Sequence, residues 1–191
     1  MVSNYFYLSA NFLRLAHESA VEIVNSTNPA FVTSESPVSN SEFNQAIRWT
    51  NHSVGIAALF CFYHGIELIM KCLILAKQSD AKGHCLTRLL NIFQKHYPDS
   101  LINPELNKHI KSLDGNSPLL NFLTQNKIGI DNWYEALKYP EMMDKTVIDH
   151  FSLKYNGVTG IEYWKSIVTA SANIHNHSKT LLDLSATICK Q

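Results

Sequence analysis

Three side chains that can donate, accept and carry charge, His64, Glu67 and Lys71, recur at i, i+3 and i+7, a spacing that sets their heads along one side of a helix. Everything around them is apolar. Taking a carboxylate or an ammonium out of water alone is costly, so Glu67 and Lys71, four apart, are expected to pair or to reach water in a groove. As a pair they read as an ordinary helix-surface salt bridge. With His64 they read instead as a polar cleft for an anionic ligand, with Lys71 and His64 as the donors. A second polar cluster, Asn173-Ile174-His175-Asn176-His177-Ser178-Lys179, stands near the C-terminus. Its two histidines, two apart, point about 200° from each other on a helix, which rules out one metal site from both. His175 and Lys179 share a face and could meet a phosphate, or they are the solvated side of an amphipathic helix. Cys61-x-x-His64 spans one helical turn, but a soft-metal site needs further ligands that are not nearby. No metal site and no cofactor are therefore expected. No Gly-rich phosphate loop, H-E-x-x-H or G-x-S-x-G is present.

The elements that must carry these residues read as helices. Residues 4–26 place Phe6, Leu8, Phe12, Leu13, Leu15, Ala16, Ala20, Val21 and Val24 near the helical period, with Ser3 in the N-cap position. Residues 29–41, rich in Ser, Asn and Pro, read as a surface connection. Ser39-Asn40-Ser41-Glu42 has the spacing of a capping box, after which a helical run is predicted to about Gln78, with a kink or a close helix contact near Gly55 or Gly65. On that run, Ala58, Leu59, Phe62, Ile66, Ile69, Met70, Leu73 and Ala76 cover roughly half the circumference, a width that implies burial against several neighbours.

Gly83 breaks the run, and Leu86, Leu89, Leu90 and Phe93 predict another amphipathic helix ending before Tyr97-Pro98. Asn103-Pro104 and Ser117-Pro118 each put a capping residue before a proline, which predicts short helices over 104–113 and 118–126 separated by Asp114-Gly115. Residues 127–160 are weakly patterned and read as an irregular insertion. Within them Asp131 is expected to start a helix that Pro140 ends, and Tyr155-Asn156-Gly157 to turn a small hairpin. From Ile161 to Ile188 there is neither Gly nor Pro, which predicts a long final helix.

Length and composition bound the class. With 191 residues and 46% apolar side chains, the chain is predicted to form one domain, 1–191, around a real core. Its 16 basic and 16 acidic residues exclude a strongly basic nucleic-acid binder, though not a local basic patch. No uninterrupted apolar run reaches about 18 residues, so no membrane span is expected. The start lacks a basic n-region and a small-residue cleavage site, so a cytoplasmic protein is expected. The cysteines at 61, 72, 85 and 189 form no C-x-x-C and read mainly as small hydrophobes. Tyr5, Phe6, Tyr7 and Phe12 form an aromatic patch that would close the core or a dimer interface.

The tract from Ala57 to Ala76, with Gly83-His84-Cys85-Leu86 and Leu89-Leu90 after it, resembles the HEPN superfamily. Members share a helix with an apolar-Glu-x-x-x-Lys core, a short loop, and a His before an Asp-Leu or Asn-Leu that opens the next helix. Glu67, Lys71, His84 and Leu86 fall on that pattern. Cys85 departs from it, standing where Asp or Asn would cap the helix. The resemblance implies an all-α bundle of four to five core helices, here with short extra helices and a small hairpin, often dimeric, and encoded in prokaryotes beside nucleotidyltransferases or in defence and toxin-antitoxin loci. Many members are metal-independent ribonucleases whose Arg is followed, after four to six residues, by a His. Here two residues separate Arg14 from His17, three separate Arg48 from His52, and seven separate Arg88 from His96, so none has that spacing. Such a site needs a cation on the scissile phosphate and an imidazole within reach of it.

The expectation is thus a HEPN-like, non-catalytic or accessory module that binds nucleotide, RNA or a partner protein such as a nucleotidyltransferase, as a homodimer. Its groove would comprise His64, Glu67, Lys71 and His84, with Lys71 the anion contact, Glu67 its orienting partner and His84 fixing the loop. The alternatives are a divergent metal-independent ribonuclease using Arg88 with His96 or His175 with Lys179, and a purely structural helical dimer.

Overall fold

The computed structural model describes residues 2–29, 32–77, 80–113, 117–154 and 160–188, and side chains as far as Asp183. The chain is all-α. Helices α1 (Val2–Asn25), α2 (Asn40–Ile47), α3 (Ile56–Ala76), α4 (Leu86–His96), α5 (Asn103–Ile110), α6 (Pro118–Gln125), α7 (Trp133–Ala136), α8 (Phe151–Lys154) and α9 (Ile161–Ile188) follow one another, with no strand among the described residues. A single antiparallel bridge among them joins Glu141 to Val147. The predicted turn at 155–157, Asp114-Gly115 and Cys189 lie outside the described residues.

Helix α3 is the axis of the bundle. The helical stretch Asn51–Ala76, which joins a π-helical turn to α3, is long and apolar enough by composition to cross a membrane, and its most apolar 18-residue window is 83% buried against the rest of the chain. Around it α1 packs along α3 and along α9, α4 packs on α3, and α5 bridges α4 and α9. The pairings fix direction. Cys72 Sγ donates to the Val2 carbonyl at 3.3 Å and Ser9 Oγ to the Gly65 carbonyl at 2.9 Å, so α1 runs antiparallel to α3. His17 meets the Val168 carbonyl and Phe6 stacks on His175, so α1 also runs antiparallel to α9.

Both interrupting glycines are sites of close approach. A Cβ on Gly65 would stand 2.7 Å from Leu13 Cγ and 3.1 Å from Leu13 N, so the missing side chain is what lets α1 and α3 touch. A Cβ on Gly55 would stand 3.1 Å from the Trp164 ring, and the backbone there is a π-helical turn, Asn51–Gly55. The predicted continuous run to Gln78 is therefore wrong: α2 ends at Ile47, and Thr50 is extended before the π-turn. The reason is burial. No residue of α2 is buried, so nothing holds it in line with α3, while Asn51 is drawn inward by Asn28 Oδ1 and the Leu153 carbonyl.

The caps divide similarly. Ser39 and Glu42 form the predicted capping box, and the Ser117 side chain accepts from Leu120 N. Ser3 is not an N-cap, since α1 already includes Val2, and Asn103 lies inside α5, its amide donating to the carbonyls of Tyr97 and Pro98. Asp131 starts no long helix: a 3-10 turn, Ile130–Asn132, leads into the four-residue α7, which stops before Pro140. Of residues 127–154, Ile130, Trp133, Ala136, Leu137, Ile148 and Leu153 are buried in the core, while Tyr139, Met143, Val147 and Phe151 are exposed.

The Gly65 contact gives a direct test. Gly65→Ala forces Leu13 and the α1 backbone away and is expected to cost about 2 kcal/mol by overpacking. Gly129→Ala, whose Cβ would meet only Asn132 Oδ1 at 3.9 Å, is expected to leave the melting temperature unchanged.

Candidate functional site

The Glu67 carboxylate sits inside the apolar helix α3 with no solvent exposure. A charge so placed must be met by donors. Three arrive: His64 Nδ1 lies 3.3 Å from Oε2, one turn earlier on the same helix; the Lys71 ammonium contacts Oε1, one turn later; and His84 Nδ1 lies 3.0 Å from Oε1, reaching in from the loop before α4. The structure thus brings together all four residues of the predicted groove. Burial pushes the Glu67 carboxyl upward, but the hydrogen bonds from His64, Lys71 and His84, with the charge of Lys71, outweigh it and hold the group below its ordinary value.

The four are not equally accessible. The Lys71 residue is 8% exposed and its ammonium faces Glu67, while the His84 side chain is 48% exposed. Lys71 is therefore placed as the counter-charge of Glu67, and Glu67 is the hub. Around them lies an aromatic shell: Phe60 stacks on His64 at 5.6 Å, Phe12 meets it edge-on at 4.6 Å, and Tyr134 stacks on His84 at 4.1 Å with an interplanar angle of 16°. The cluster holds two imidazoles and a carboxylate, with the Lys71 ammonium against that carboxylate. Among the described residues no group of three His, Cys, Asp or Glu is spaced to hold a metal ion. Cys61 and Cys72 are buried thiols whose ionisation burial pushes up, that of Cys72 to about 11.

Residues 130–134 complete the cluster, and the sequence did not single out their role. Cys85 occupies the N-cap position of α4 with no capping side chain, and Asp131 fills the vacancy from another segment: its Oδ1 accepts from Thr87 N at 2.9 Å and Oδ2 from the Thr87 hydroxyl. Next to it, Trp133 Nε1 donates to the His84 carbonyl at 3.1 Å. The signal was the departure itself. A helix start without a capping side chain has orphan N–H groups that must find an acceptor elsewhere.

Of the residues proposed for catalysis, Arg88 and His96 are not brought together, while His175 and Lys179 lie one turn apart on α9. Arg88 and His96 lie at opposite ends of α4, eight residues or about 12 Å apart along the axis. The Arg88 guanidinium is engaged by the Lys82 carbonyl at 2.6 Å and by Asp80 Oδ2 at 3.4 Å. His175 lies on α9 against Phe6, and Lys179 is exposed one turn further on. No protein-family model, no curated protein and no solved structure matches this chain.

Glu67→Gln keeps the volume of the side chain and strands the Lys71 ammonium, which is expected to cost about 3 kcal/mol at pH 7. Because the folded carboxyl titrates below its ordinary 4.5, its stabilising effect is complete above that pH and is lost as pH falls through the lowered value. Urea unfolding of both proteins from pH 7 to 3 should show the gap between them closing below about 4.5.

Proposed function

We propose that the protein is a HEPN-like helical module that binds rather than cleaves, an accessory component of a prokaryotic defence or toxin-antitoxin system whose ligand is a nucleotide, an RNA or a partner protein. The observation that carries this reading is the convergence of His64, Lys71 and His84 on Glu67. Three of the residues through which the tract 57–90 resembles that superfamily, Glu67, Lys71 and His84, meet at one carboxylate. Their job is positional. They lock α3 to the loop that opens α4, and the half-exposed His84–Tyr134 stack is the part of the cluster that a ligand can touch.

Against hydrolysis stands the separation of Arg88 from His96 and the engagement of the Arg88 fork, since a scissile phosphate needs its cation and its proton-transfer group within reach of one another.

Incubation of the purified protein with a mixed set of labelled RNAs, tRNA included, in EDTA is expected to leave every RNA intact. Cleavage abolished by His96→Ala or His175→Ala in a protein that still folds would replace the proposal with the ribonuclease.

A further inference from the structure

On the opposite side of α1 from the Glu67 cluster's aromatic shell, α1 and α9 enclose a cleft of about 370 Å3. It lies between two cross-links. At one end His17 Nδ1 meets the Val168 carbonyl at 3.1 Å, and at the other Phe6 stacks on His175 at 5.9 Å. Ala10 and Ala172, one on each helix, leave the space that larger side chains would fill, and Arg14, His17, Ser171 and His175 line it.

Each polar group there has capacity to spare. Arg14 is exposed and makes no ion pair among the described residues, so its five N–H donors are open to a ligand. A carbonyl can only accept, so His17 Nδ1 must carry the proton in that contact, which leaves Nε2 facing a ligand, as an acceptor in the neutral ring and a donor in the imidazolium. Ser171 is 1% exposed, its hydroxyl has no hydrogen-bond partner among the described residues, and it lines the cleft. An orphan buried hydroxyl is unfavourable, and a ligand oxygen beside it would relieve that cost. No Asp or Glu lines the cleft. A guanidinium, two imidazoles and a hydroxyl with no opposing carboxylate suit an anion with several oxygens, and the volume falls at the lower end of small-molecule pockets, larger than a bare phosphate requires.

We propose that the α1–α9 cleft is a binding site for a small phosphate monoester, with Arg14 taking two terminal phosphate oxygens in its fork, Ser171 Oγ and His175 donating to the phosphate, and His17 donating from Nε2 as the imidazolium. Three terminal oxygens and two negative charges match this donor set better than the single charge and two free oxygens of a phosphodiester. The site is separate from the Glu67 cluster and does not depend on how that cluster is read.

The test is calorimetric titration of the whole protein with inorganic phosphate, glucose 6-phosphate, AMP and a short 5′-hydroxyl RNA that carries only diesters. Monoester binding is expected, weakened at least tenfold by Arg14→Ala with a wild-type melting temperature and severalfold by Ser171→Ala with a melting temperature no lower than wild type, and unchanged by His84→Ala at the other cluster. Absence of monoester binding, binding that survives Arg14→Ala, or a preference for the diester RNA would overturn it. Binding lost in His84→Ala alone would also overturn it, moving the ligand to the Glu67 cluster and leaving the functional proposal intact.

Discussion

The buried carboxylate of Glu67 is the constraint on which the rest of this structure depends. An ionised group with no solvent exposure, in the middle of a helix with fifteen buried residues, is tolerable only where donors are brought to it. Two come from the same helix at the spacing that any helix provides. The third, His84, must be delivered by the loop before α4, and delivering it fixes that loop. Trp133 then holds the His84 backbone, Tyr134 covers its ring, and Asp131 caps the helix that the loop opens. One buried charge thus organises α3, the loop, the first turn of α4 and a segment more than forty residues further along the chain.

The same helix α1 serves two unlike surfaces. Phe12 turns toward His64 and helps exclude water from the carboxylate, whereas Arg14 and His17 turn toward α9. This division follows from the close contact at Gly65. With Leu13 seated where a Cβ would otherwise be, α1 is held against α3 by one face and leaves the next face to meet α9. The Glu67 carboxylate has its donors within the cluster, whereas the buried Ser171 hydroxyl in the cleft has no partner among the described residues. That contrast is why Glu67 and Lys71 read as architecture, leaving the half-exposed His84–Tyr134 stack as the cluster's ligand-facing edge and the cleft as a separate site.

Much of this was legible in the sequence. The amphipathic pattern of Leu86, Leu89, Leu90 and Phe93 and the uninterrupted stretch from Ile161 gave α4 and α9 close to their limits, because periodic burial and the absence of Gly and Pro are local properties. Glu67, Lys71 and His64 were legible as a set for the same reason, being on one helix. What stayed hidden depended on distant contacts. The break between α2 and α3 follows from Asn51 bonding to Asn28 and Leu153, which no local pattern reports. Asp131 looked like a helix start because it is a good capping residue, and it does cap a helix, but a different one. The cleft escaped for a related reason: Arg14 and His17 were judged as a sequence motif, while their partners, Ser171 and His175, lie more than 150 residues away.

The central claim is that the Glu67 cluster and residues 130–134 are one coupled unit, although Glu67 and Asp131 share no direct hydrogen bond. A double-mutant cycle on unfolding free energy, with Glu67→Gln and Asp131→Ala, tests this most directly. The account predicts a coupling of at least about 0.5 kcal/mol, because each substitution loosens the His84 loop through which the other acts. Strict additivity, within about 0.3 kcal/mol, would contradict it and reduce the cluster to an isolated ion pair beside an independent helix cap.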